Sequence, residues 1–91
     1  MTVLRSAAQT EVETFSGDSN YPTGGYTQST NLTRVDEAVA EVDLKGYIAK
    51  VKSISSNNSI VVQLNDSDTG SEVGSGTDVS SATITYTAYK L

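Results

Sequence analysis

Hydrophobic positions in this chain alternate with polar ones over short stretches, with a period of two, and turn-forming residues separate the stretches. The clearest case is residues 47–65. Tyr47-Ile48-Ala49-Lys50-Val51-Lys52-Ser53-Ile54 reads as a strand, Ser55-Ser56-Asn57-Asn58-Ser59 as a loop, and Ile60-Val61-Val62-Gln63-Leu64-Asn65 as the returning strand. Both arms are rich in β-branched residues, and the joint has an ordinary hairpin length. The joint holds no Gly, so Asn57 or Asn58 is expected to supply any left-handed backbone position. Val51, Val62 and Leu64 are expected to face the core, and Lys52 the solvent.

The same alternation organises the flanks. Residues 9–15 read as a strand with Val12 on one face and Glu11, Glu13 and Phe15 on the other, the carboxylates turned to water. Residues 82–91 read as a strand with Ile84, Tyr86 and Ala88 on one face and Thr83, Thr85, Thr87 and Tyr89 on the other. Residues 31–44 carry two periods at once. Leu32, Val35, Val39 and Val42 fall near helical spacing, while Ala38, Ala40, Val42 and Leu44 alternate. The valines favour a strand over residues 38–43. Lys45-Gly46 is then a tight turn into the central hairpin, which predicts a three-stranded meander.

Two loops remain. Residues 16–30 hold Pro22 and Gly24-Gly25 between Tyr21 and Tyr26, and residues 66–81 are rich in Ser, Asp, Thr and Gly, with a short strand expected at Glu72-Val73. The pattern predicts an all-β chain, a small antiparallel β-sandwich or partly open barrel of about five to seven strands. Residues 9–91 form its single β domain. Residues 1–8 are an N-terminal arm or edge strand, or a frayed terminus.

Composition narrows what such a domain can be. Ninety-one residues make one domain, and with 36% hydrophobic residues, one Phe and no Trp its core is thin. Thin-cored small domains usually lean on disulfides, metals or partner subunits. The absence of Cys excludes disulfides, and the joint absence of His and Cys excludes the usual zinc ligand sets. The formal charge of −5 and six unclustered basic residues exclude the basic footprint of a nucleic-acid binder. No apolar run approaches the roughly 18–20 residues of a membrane span, so no membrane partner is expected. Residues 1–8 lack the apolar core of a secretory signal, which predicts synthesis and retention in the cytoplasm until assembly.

Catalytic constellations are not legible. There is no Gly-x-Ser-x-Gly elbow, and Gly24-Gly25 lacks the Lys-Ser/Thr of a phosphate loop. The carboxylate pairs Glu11/Glu13, Asp36/Glu37 and Glu41/Asp43 fall on alternating strand positions or loops, where solvated faces belong. Neither enzymatic activity nor a cofactor is expected. Asp66, Asp68 and Glu72 are the candidate metal ligands, because alternate oxygen donors beside Gly70 suit a hard cation. The EF-hand spacing is not met, since Gly70 comes one residue early, and the segment reads as a polar hairpin loop. Three Asn-x-Ser/Thr triplets, at Asn31, Asn57 and Asn65, are read as chance matches in a Ser/Thr-rich chain. The candidate partner interface is Val3, Leu4, Tyr21, Pro22 and Tyr26, because tyrosines in a long loop and an apolar arm suit contact with another protein. The alternative is that Tyr21 and Tyr26 cover the open end of a small barrel.

The order of these features carries a resemblance. Tyr21-Pro22-Thr23-Gly24-Gly25-Tyr26 is followed by Asn31-Leu32, then Gly46-Tyr47-Ile48-Ala49-Lys50-Val51, Ile60-Val61-Val62-Gln63-Leu64, Glu72-Val73-Gly74-Ser75-Gly76-Thr77-Asp78-Val79 and the terminal strand from Ala82. It resembles small β virion structural proteins of tailed viruses of bacteria and archaea, the head decoration and other capsid-associated proteins. The resemblance implies a virion location and no active site. It implies a capsid decoration protein on the outer surface of the head shell, with the major capsid protein or other virion subunits as partners, and a homo-oligomer. Two alternatives stand beside it: a carbohydrate- or receptor-binding β module on a virion or cell surface, and a head–tail junction subunit.

Overall fold

The computed structural model describes residues 9–54 and 58–91. Six strands follow one another with no helix among the described residues: β1 (Gln9–Ser16), β2 (Tyr26–Ser29), β3 (Glu37–Val42), β4 (Tyr47–Ile54), β5 (Ser59–Asp66) and β6 (Thr83–Lys90). They form two antiparallel three-stranded sheets, ordered β1-β6-β3 and β2-β5-β4. The strand count falls within the expected range.

The two most deeply buried strands take the two central places. On β5, Ile60, Val62 and Leu64 have no exposed surface, and Gln63 and Asn65 on its other face are buried as well. On β6, Ile84, Tyr86 and Ala88 are buried, and the threonines between them point outward. These two inner rows meet in one core cluster with Tyr21, Leu32, Val35, Val73, Val79 and Ala82. The edge strands add half a face each: Ala38, Ala40 and Val42 from β3, Tyr47, Ala49 and Val51 from β4, and Phe15 from β1. Period-two sequence therefore becomes period-two burial, because successive side chains of a strand point to opposite faces.

The central hairpin is observed with both arms paired, Val51 opposite Val62 and Ala49 opposite Leu64. A register shift between Val51 and Ser53 leaves Lys52 as the extra residue of a bulge. The strand expected over residues 38–43 is observed as Glu37–Val42, not helix, with Ala38, Ala40 and Val42 turned inward and Val39 and Glu41 outward. The short strand expected near Glu72 appears as a bridge between Asn65 and Glu72.

Four expectations need correction. The meander does not form: β3 pairs with β6, Ala38 opposite Ala88 and Val42 opposite Ile84, so the turn at Lys45-Gly46 carries the chain from one sheet to the other. Gly46 supplies the positive φ (93°) that this reversal needs. The second correction concerns residues 16–30, which are not one loop. Residues 26–29 make β2, paired with residues 59–62 of β5. Thirdly, Val12 is the exposed side of β1 at 59% exposure, while Glu11 is half-buried. Its carboxylate accepts hydrogen bonds from the Tyr86 hydroxyl (2.9 Å) and the Asn31 N–H (2.8 Å). Two good donors satisfy a carboxylate that would otherwise be costly to bring off the surface. Finally, no described non-Gly residue has a positive φ, so Asn58 does not play that part, and Asn57 lies outside the described residues. Asn58 instead grips residue 30: its side-chain amide donates to the Thr30 carbonyl (3.0 Å), and its own carbonyl accepts from the Thr30 N–H (2.8 Å).

Candidate functional site

Of the residues singled out in the sequence, Tyr21, Tyr26 and Glu72 come together where the β1–β2 connection meets the β5–β6 connection. Backbone bonds tie the two segments together. Tyr21 N–H donates to Thr77 O (2.9 Å), Gly76 N–H to Tyr21 O (2.9 Å) and Val79 N–H to Asp18 O (2.8 Å). Each segment supplies partners the other lacks, so two long loops behave as one ordered unit.

Tyr21 is the centre of this unit and has no exposed surface. Its hydroxyl fills a gap in the ladder beside β5. β2 pairs with residues 59–62, and Val73 N–H donates to Leu64 O (3.0 Å). Leu64 N–H between them has no strand partner and donates to the Tyr21 hydroxyl at 3.1 Å. That hydroxyl donates in turn to Glu72 Oε2 (2.9 Å), which also accepts from Gly24 N–H (2.8 Å). Burial pushes the Tyr21 phenol up to about 12, with the Leu64 N–H opposing and the Glu72 carboxylate reinforcing the shift. The phenol therefore stays neutral and keeps its proton for Glu72.

Tyr26 stands beside it. Its ring meets Tyr21 edge-on at 5.6 Å and Phe15 at 5.5 Å, a three-ring stack of T-shaped contacts. Its hydroxyl donates to Asp18 Oδ1 (3.1 Å) and accepts from Asp18 N–H (3.2 Å). Burial raises its phenol too, ahead of the effect of Asp18. Gly25 is fixed by its surroundings: its φ is 103°, and a Cβ there would run into the Val62 carbonyl. What remains exposed is the tip, Pro22 and Thr23, held by Tyr21 on one side and Gly24 on the other.

The structure thus separates the proposed contact residues. Tyr21 belongs to the core and offers a partner no area, Tyr26 is half-buried, and Pro22 is exposed. Val3 and Leu4 lie outside the described residues. The three candidate metal ligands do not converge, and no group of three such side chains able to hold a metal occurs among the described residues. Asp66 Oδ1 accepts from the N–H groups of Asp68 (2.8 Å) and Thr69 (3.3 Å) in its own turn, while Glu72 is turned to Tyr21. Sequence reasoning read Glu72 as an oxygen ligand and missed its tie to Tyr21. The only signal was its place beside a strand in an otherwise small-residue loop. Compared with protein-family models, curated proteins and solved structures, the chain finds no match.

Proposed function

We propose that this chain is a virion structural subunit, a β-sandwich that decorates the outer surface of a tailed-virus head shell. One observation carries the reading beyond the resemblance in sequence order. The β1–β2 connection is ordered by a buried Tyr21 and Glu72 while Pro22 and Thr23 stand exposed at its tip. A preorganised tip loses little conformational freedom on binding, which favours protein–protein contact. The Val12 and Val39 side chains, exposed on the outer sheet face, add apolar area to a small domain.

The aromatic side chains argue against a sugar platform. Phe15, Tyr21, Tyr26, Tyr47 and Tyr86 all lie in or against the core, leaving Tyr89 as the ring on an outer face. A carbohydrate module would instead spend its rings on an accessible surface.

The test is co-expression with the major shell protein of the same virus, followed by sedimentation of the particles. Wild-type chain is expected in the particle fraction. Thr23→Arg is expected to stay in the supernatant with an unchanged melting curve, since Thr23 is an exposed tip residue. Wild-type chain that never sediments with shells overturns the reading.

A further inference from the structure

The outer faces of β3 and β4 carry opposite charge and matching spacing, and we propose that they bind each other between two copies of the chain. On the β1-β6-β3 sheet, Val12, Thr87 and Val39 sit directly opposite one another across the three strands. Val12 is 59% and Val39 52% exposed, so they form one apolar row about 10 Å long across the sheet. Glu37 and Glu41 flank Val39 on the same face of β3, each two residues away. On β4 the outward positions are Ile48, Lys50 and Lys52, with Ile48 51% exposed.

Ile48-x-Lys50 repeats the spacing of Val39-x-Glu41, about 7 Å in each case. Seating Ile48 of one copy on Val39 of the next therefore brings Lys50 over Glu41 or Glu37, according to the direction of the strand. None of these four charged side chains spends its charge within the chain. Among the described residues the ion pair is Arg34–Asp36, and Glu37, Glu41, Lys50 and Lys52 make no hydrogen bond. The bulge at Lys52 places Lys52 and Ser53 in succession on the outer side of β4.

β3 and β4 belong to different sheets but pack against each other at the edge where the sheets meet. A twofold partner can therefore set each strip on its complement at once, in one closed contact. Like-with-like pairing is disfavoured, because Glu37 and Glu41 would meet their own copies, as would Lys50 and Lys52. The inference is independent of the shell-binding reading, which concerns the loop tip at Pro22 and Thr23.

Sedimentation velocity of the full chain over a concentration series tests it. Wild type is expected to associate with rising concentration and to dissociate as salt is raised, because these charges are exposed and screened. Glu41→Lys and Lys50→Glu should each weaken association about tenfold or more by placing like charges in contact. Both residues are exposed, so both variants should melt as wild type does. Mixing the two variants is the decisive arm: each then presents the complement of the other, and association returns. A wild type that is monomeric at every concentration, association indifferent to both substitutions, or a mixture that behaves as its two parts would each overturn the proposal.

Discussion

At the scale of single residues, Tyr21 and Glu72 hold more of the structure than their positions in two loops suggest. Removing one hydroxyl by Tyr21→Phe strips Leu64 N–H of its acceptor and Glu72 of a donor, at a site with no water-exposed ring surface. Leaving a buried polar group unsatisfied costs about 1–3 kcal/mol, so denaturant melts of Tyr21→Phe should show a loss of that order. The phenol also sets an alkaline limit. Its ordinary value is 10.0 and the fold raises it to about 12. The neutral form is thus the one the fold prefers, and its contribution is fully present below pH 10, where both states keep the proton. It falls as pH rises from there and is gone above about 12. Ultraviolet titration should find both Tyr21 and Tyr86 ionising late, since burial raises the Tyr86 phenol as well, and Tyr21→Phe should remove one of these late phenols and leave the other. The partnership was not legible in sequence, because nothing local links residue 21 to residue 72. A tyrosine beside Pro-Thr-Gly-Gly looks like an exposed contact residue until the ladder gap beside Leu64 is seen.

At the scale of elements, the alternation of apolar and polar residues did most of the work, and it failed where side chains were asked to name a partner strand. The hairpin of β4 and β5 was legible because its two arms are adjacent, β-branched and joined by turn residues. It should also carry stability. Leu64 has no exposed surface, and Leu64→Ala should cost about 2–5 kcal/mol in a urea melt. Lys52→Ala, at an exposed bulge, should change stability by no more than about 0.5 kcal/mol. Equal losses in both would mean that the bulge places Lys52 against the core. β3 was legible as a strand but not as a neighbour of β6. Its inward face is Ala38, Ala40 and Val42, small enough to pack against either central strand. What assigns it is the pair of bonds at its end: Asp43 N–H donates to Thr83 O (3.2 Å), and Thr83 N–H donates to Asp43 Oδ1 (2.8 Å). β2 was hidden for a different reason. Residues 26–29 are Tyr-Thr-Gln-Ser, a run too polar and short to announce a strand, and it exists because β5 offers an unpaired edge.

At the scale of the whole molecule, the pairing is long-range, with Gln9 opposite Lys90 and Glu37 opposite Tyr89, so local patterns could not reveal it. The two sheets nevertheless share one core, into which Leu64 and Val62 enter from one side and Ile84 and Tyr86 from the other. With three strands apiece, neither sheet has a second layer to bury its inner face except the other sheet. Exposing either inner row would leave large apolar side chains in water on both. The chain should therefore unfold as one unit, as small single domains usually do. Near-ultraviolet circular dichroism reports chiefly on Tyr21 and Tyr26 at the loop junction and on Tyr86 within β6, and far-ultraviolet signal reports on the strands. Their denaturant midpoints should coincide. Ile84→Ala in β6 and Leu64→Ala in β5 should each move both midpoints together, because each opens a cavity in the same cluster. If Ile84→Ala lowered the strand signal in a separate, earlier step while the tyrosine signal held, the sheets would be independent layers. The loop junction that ties Tyr21 to Gly76 and Thr77 would then be the main link between them, in place of the core.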